Sequence, residues 1–265
     1  MARKQNRYSA IVETIFVSHR KAGQRRIEFR REEMISVAEQ LGITLPKNLG
    51  DVLYSFRFRT ALPASISATA PAGQQWVIRL IGQGLYEFAL MREIDVSPSP
   101  LLAKTKIPDA TPGIVSRYSL TDEQALLAKL RYNRLVDIFT GLTCYSLQNH
   151  LRTSVPDIGQ VETDEAYIGV DRRGVHYVLT VQAKGGTDKI GIVQIEQDFA
   201  VCAAKFPDLE AIPLAAHFTG GDVIALFAFE STAEGIKVTA EKHYQLVPSE
   251  ELSPEELASY RSRPG

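Results

Sequence analysis

Residues 162 to 186, ETDEAYIGVDRRGVHYVLTVQAKGG, place Glu162, Asp164 and Glu165 before a turn and Gln182 and Lys184 after it. Asp171-Arg172-Arg173-Gly174 has turn composition, and the runs on either side are rich in Val, Ile, Tyr and Thr, so the segment reads as a β-hairpin. Centred between Arg172 and Arg173, the hairpin sets Asp164 opposite Gln182 and Glu162 near Lys184 on the same face. A slip or bulge of one residue would bring in Glu165 instead. A carboxylate, an amide oxygen and an ammonium then converge where the strands end. Such a set can hold a hard cation through oxygen and place a lysine beside a reacting water. Exposed hairpins also carry cross-strand ion pairs of little energetic weight, and Glu162 with Lys184 could be one of these. Gln182 and Lys184, however, follow the apolar run YVLTV, at the end of a strand that reads as central. Polar groups there cost stability unless they are used.

The hairpin needs a sheet to carry it. A helical stretch, DEQALLAKLRYNRLVDIF, precedes it with Thr121-Asp122-Glu123 as a start signal, and TCYSLQNHLRT reads as the first strand. After Lys184 come the helix DKIGIVQIEQDFAVCAAKF and two strands, AIPLAAHFTGG and DVIALFAFES. The predicted order is αβββαββ, and a helix joining two strands of one sheet is a crossover that makes the sheet mixed. The fold class is therefore α/β in the broad sense, or α+β.

Strand, Asp164, strand, Gln182-Ala183-Lys184 and then a helix resembles the layout of the PD-(D/E)xK nuclease superfamily over roughly residues 118 to 230. Glutamine stands where most members have glutamate, a QxK form similar to the Mrr-like restriction endonucleases. Pro156-Asp157 spells a literal PD, but it lies outside the hairpin. The resemblance implies a restriction endonuclease-like αβββαβ core and Mg²⁺-dependent hydrolysis of phosphodiester bonds in double-stranded DNA, by an enzyme of type II character. It implies Asp164 and the Gln182 carbonyl on the metal, with Lys184 orienting and helping to deprotonate water. Replacing glutamate by glutamine removes a negative charge from that site, which Glu162 or Glu165 could restore. Gln194 and Gln197 on the following helix could face the phosphate, and Gln148, Asn149, His150 and Arg152 on the first strand could reach DNA or form polar surface. Cutting both strands implies a homodimer, with a cognate DNA methyltransferase as a possible partner. The exchange of Glu for Gln also motivates a different reading, an inactive nuclease-like regulator that only binds DNA.

The first 100 of the 265 residues hold 14 Lys and Arg against 9 Asp and Glu, while the remainder is acidic. A basic N-terminal part suits a polyanion, although solubility alone can produce such a split. RYSAIVETIFVSHRKAG, RRIEFR, REEMISVAEQLGI and LPKNLGDVLYSFRFR read as helix, strand, helix, helix, and QQWVIRLIGQGLYEFAL as a hairpin bent at Gly82-Gln83-Gly84. That order resembles a winged helix-turn-helix, with Lys47 to Arg59 as the recognition helix and Trp76 to Leu90 as the wing. Lys47, Asn48 and Asp51 would then face the major groove, and Arg25, Arg26, Arg30 and Arg31, with Arg20 and Lys21, would be available for phosphates. The expected division is residues 1–96 for DNA binding, a proline-rich linker at 97–117, the nuclease-like part at 118–246, and a tail from 247 that forms a short helix or none. Cys144 and Cys202 are expected to be buried free thiols, and His176, His217 and His243 lack the spacing of a zinc site. No apolar run reaches the roughly 20 residues of a membrane span, and the first residues lack a signal-peptide core, so a cytoplasmic protein is expected, and the restriction-endonuclease resemblance implies a prokaryotic one.

Overall fold

The computed structural model describes residues 7–58, 60–94, 96–118, 123–156, 158–186, 188, 190–233 and 235–263. Arg59, Thr121, Asp122 and Asp157, each part of a motif read above, lie outside the described residues. The N-terminal part runs α1 (Ser9–His19), β1 (Arg26–Arg30), α2 (Glu33–Leu41), α3 (Leu49–Phe58), α4 (Ala64–Ser67), β2 (Gln74–Gly82) and β3 (Leu85–Arg92). Its three strands form an antiparallel sheet in the order β1-β3-β2. Helix α1 buries Ile11, Val12, Ile15 and Phe16, the spacing of one helical face, and Phe16 meets Trp76 and Phe88 edge-on at 5.2 and 5.1 Å. Gly42 closes α2 with a left-handed φ of 64°, a conformation that favours glycine.

The second part runs β4 (Lys104–Pro108), α5 (Gly113–Tyr118), α6 (Glu123–Tyr132), α7 (Leu135–Thr140), β5 (Thr143–Val155), β6 (Gly159–Val170), β7 (His176–Gly185), α8 (Ile192–Lys205), β8 (Glu210–Ala211), β9 (Leu214–Gly220), β10 (Val223–Thr232), β11 (Gly235–Val247), a 3₁₀ turn (Ser249–Glu251) and α9 (Pro254–Tyr260). The main sheet has the order β4-β11-β10-β9-β7-β6-β5, with β8 beside β7. It is mixed: β7 runs parallel to β8 and β9, β4 runs parallel to β11, and the other pairs are antiparallel. Helix α8 makes the crossover from β7 to β9. Leu126, Leu127 and Leu130 of α6 pack with Leu179, Val181 and Ala183 on one face, while Ile192, Val193 and Ile195 of α8 pack with Ala215, Ala225 and Phe227 on the other. Among the described residues no helix is long and apolar enough to cross a membrane.

Two expectations are corrected at the ends of this part. The 97–117 stretch contains β4, which joins the sheet through parallel pairing of Lys104 with His243 and Ile107 with Leu246. Proline is tolerated there because β4 is an edge strand. Asn133, at the end of α6, anchors the chain beyond it by accepting from the Ala110 amide at 2.7 Å and donating to Thr111 Oγ1 at 2.9 Å. The core also reaches one strand further than expected, because β11 pairs with β10. The tail helix α9 is fixed by a capping box between Ser253 and Glu256, and it covers the β4 edge: Tyr260 Oη accepts from the Lys106 amide at 3.0 Å, and Glu256 pairs with Lys106 Nζ at 2.8 Å.

The two parts pack closely. Phe58, Val77 and Met91 of the N-terminal part join the cluster built on α8 and the sheet. Arg79 of β2 donates Nε to Glu196 of α8 at 2.9 Å. Gly159, with φ of 87°, leaves room for Leu80, whose Cδ2 would lie 2.7 Å from a Cβ at that position.

Candidate active site

The β6–β7 ladder runs from Val170 opposite His176 to Glu165 opposite Val181. Extended by one residue, that register puts Asp164 level with Gln182, where the pairing stops and the strands part. Side-chain alternation along β6 breaks at the same place. Thr163, whose hydroxyl donates to the Val181 carbonyl at 3.4 Å, lies beside Asp198 of α8, whereas Glu165, two residues on, accepts from Arg131 of α6 at 2.9 Å on the opposite face. Asp164 sits at this irregularity, the kind of break that re-aims a side chain. Beside it on β5, His150 has φ of 48° and lies 2.8 Å from Gln124 of α6. Asp164 Oδ2 accepts the Ala183 amide at 2.8 Å, which fixes the carboxylate across the gap. Lys184 Nζ, half-buried, donates to Glu123 Oε1 at 2.7 Å.

Beneath this pair lies a buried polar layer. Gln182, 2% exposed, donates Nε2 to both oxygens of Asp198 at 3.1 Å and to the Glu162 carbonyl at 3.4 Å. Its own carbonyl accepts from Gln194 at 3.4 Å. Burial pushes the Asp198 carboxyl well above the usual range against hydrogen bonds from Gln182 and Thr163, and the nearby charge of Asp164 pushes it further. Burial likewise raises Asp164, with Glu123 adding to the shift, while the Ala183 amide and Lys184 oppose it. The strand ends therefore hold several carboxyls that compete for few counter-charges, a common trait of functional sites.

The structure brings Asp164, Gln182 and Lys184 together at the parting strands, and it separates Glu165 and Glu162 from them. Glu165 is fully buried on the α6 face, held by Arg131 and by Ser146 Oγ at 3.0 Å. The break in side-chain alternation along β6 leaves it there, which corrects its expected place on a metal with Asp164. Glu162 pairs with Arg152 at 2.7 Å and stands 3.7 Å from His150, so Lys184 takes Glu123 as its partner in place of Glu162. The Gln182 carbonyl is turned to α8 instead of toward Asp164. Glu123 and Asp198 were not singled out as site residues. Glu123 stood within a helix-start signal, and Asp198 breaks the apolar spacing of Ile195, Val201 and Cys202 with a charge, which is the signal that marks it.

Among the described residues no group of three or more His, Cys, Asp or Glu side chains gathers in a metal-holding arrangement. In donor chemistry Asp164 and Glu123, whose charges act on one another, carry carboxylate oxygens, the donor type a hard cation takes.

On the N-terminal part, Lys47, Asn48 and Asp51 stand exposed at the start of α3. Asn48 caps the helix: its Oδ1 takes the Gly50 amide at 3.1 Å, and its Nδ2 donates to Asp51 Oδ1 at 2.7 Å. Arg30 is exposed, Arg31 lies 3.7 Å from Glu32, and Arg25 donates to Gln74 at 3.0 Å. Arg26 grips the buried Glu87 with its Nε and Nη2 at 2.6 and 3.0 Å, while most of its side chain stays exposed. Cys144 and Cys202 are buried free thiols. No family model matches the sequence, and no curated protein matches it.

Proposed function

We propose that the chain is a Mg²⁺-dependent endonuclease of restriction type, hydrolysing phosphodiester bonds in double-stranded DNA, with a restriction endonuclease-like core and a winged-helix reader. The observation that carries this reading is the placement of Asp164 and Lys184 at the point where β6 and β7 part, with Glu123 against the lysine. Asp164 and Glu123 would hold the metal, which supplies Lewis acidity at a phosphate oxygen when bound. Lys184, held by Glu123, places positive charge where negative charge builds on the phosphate and orients a water for attack. Gln182 acts from below, joining Asp198 and Gln194 of α8 to the strand that carries Lys184. The exposed start of α3, with Lys47, supports DNA contact by the N-terminal part. Two copies would be needed to cut both strands, and a cognate methyltransferase would protect the host's own sites.

A supercoiled plasmid incubated with and without Mg²⁺ tests the reading. Nicking or linearisation that needs the metal and vanishes in Lys184→Ala is the expected result. A second reading, a DNA-binding regulator without cutting activity, draws on the Gln182 carbonyl being turned to Gln194 instead of to Asp164. A mobility shift on DNA with no nicking under any divalent cation would favour it.

A further inference from the structure

Between the N-terminal part and α8 lies a cavity of about 330 Å³, in the size range of small-molecule sites. Leu80, Ile158 and Val193 give it apolar walls. Four charged groups on its lining satisfy one another: Arg26 grips Glu87, and Arg79 binds Glu196 and stands 3.7 Å from Glu87. Arg57, near the end of α3, is the fifth. Its Nε and Nη2 are buried, and no described residue accepts from them. Gln197 of α8, 6% exposed, likewise has an unpartnered Nε2 in the same lining.

Buried donors without acceptors are costly, and a guanidinium more so than an amide, so a chain that keeps both on one cavity points to an acceptor from outside. Burial also lowers the Arg57 pKa, the mark of a cation without a counter-charge. Nε and Nη2 form one edge of the guanidinium, and that edge matches two oxygens of a carboxylate or phosphate. Three guanidinium groups against two carboxylates leave one positive charge on the walls. A single anion balances it. The apolar walls suit a ligand with an apolar body and disfavour the solvated backbone of a nucleic acid.

We propose that this cavity binds a small organic oxyanion, a carboxylate or phosphomonoester carried on an apolar body, gripped by Arg57 with Gln197 as the second donor. The site is separate from Asp164 and Lys184 and does not rest on the nuclease reading. Because it is walled by both parts of the chain, its occupant bridges α3 and α8.

Calorimetric titration and thermal unfolding of the full chain with benzoate, phenyl phosphate and inorganic phosphate test the site. Benzoate or phenyl phosphate should bind and raise the melting temperature, with inorganic phosphate weaker. Arg57→Met should weaken binding by about ten- to a hundredfold, the loss of a charge-assisted pair, yet melt higher than wild type without ligand because an unpaired buried charge is gone. Arg57→Lys, which keeps the charge and loses the fork, carries the test if Arg57→Met does not fold, and Gln197→Leu should weaken binding to a smaller extent. Failure of all three probes to bind the wild type overturns the proposal. So does binding that Arg57→Lys and Gln197→Leu leave unchanged, and inorganic phosphate binding as tightly as phenyl phosphate overturns the apolar body.

Discussion

Lys184 Nζ lies 2.7 Å from Glu123 Oε1, so the lysine of the hairpin is held by the first residue of α6. On the nuclease reading, Lys184→Ala and Asp164→Ala should each slow plasmid nicking by at least about a hundredfold while leaving the circular dichroism spectrum and DNA binding intact. Glu123→Gln should slow it as well, and Glu165→Gln, whose side chain faces away, should not. Nicking rates that rank these four substitutions differently would dissolve the site as drawn.

Placing glutamate at position 182 should not be benign. Gln182→Glu sets a second carboxylate against the buried Asp198, 3.1 Å from the present amide nitrogen, and removes the donor that Asp198 uses. A loss of roughly 1–3 kcal/mol is expected in urea unfolding without divalent cations. The double substitution Gln182→Glu with Asp198→Asn should recover most of it. A single variant as stable as wild type at pH 8 would show that the buried layer tolerates both charges.

Stability should depend on pH through Asp198 and Asp164. A carboxyl whose folded pKa lies above its unfolded value, about 3.9 for aspartate, binds its proton more tightly when folded. This contribution is therefore complete below the unfolded pKa and is lost as pH rises toward the folded one, at about 1.4 kcal/mol per pH unit for each group. Asp198→Asn should flatten that decline, so the variant gains on the wild type as pH rises from 4 to 8. Parallel melting-temperature curves for the two proteins across this range would contradict the placement of Asp198.

At the start of α3 the exposed Asn48 and Lys47 should separate. Asn48→Ala loses a helix cap and should cost about 1 kcal/mol of stability. Lys47→Ala touches no such contact, and it should leave the melting temperature alone while lowering DNA affinity and reducing the slope of affinity against salt by about one. An affinity and salt slope that Lys47→Ala leaves unaltered would remove α3 from the DNA interface.

The legible parts of this chain are those decided locally. The turn at Asp171–Gly174 and the alternation on either side set the hairpin register, and Gly42 and the apolar spacing around it mark α2 and α3. Strand β4 escaped because it is defined by a distant partner, Lys104 pairing with His243, whereas β11 follows its partner β10 directly but carries charges at Lys237, Glu241 and Lys242 that dilute its apolar pattern. The metal role given to Glu165 failed for a similar reason, since nothing in ETDEAY announces that alternation breaks between Thr163 and Glu165. Arg131, the residue that draws Glu165 to the other face, lies on α6 far upstream.

The close fit of Leu80 over Gly159, with Arg79 reaching Glu196 nearby, bears on how such a chain could be re-engineered. A foreign module grafted in place of the first part would have to reproduce an adjacent arginine and leucine on one strand, or leave Glu196 of α8 and Gly159 of β6 without their partners. Any side chain introduced at position 159 would also collide with the native module. On the nuclease reading, altering target choice is thus better attempted by substitutions on the exposed start of α3 than by exchanging the part as a cassette.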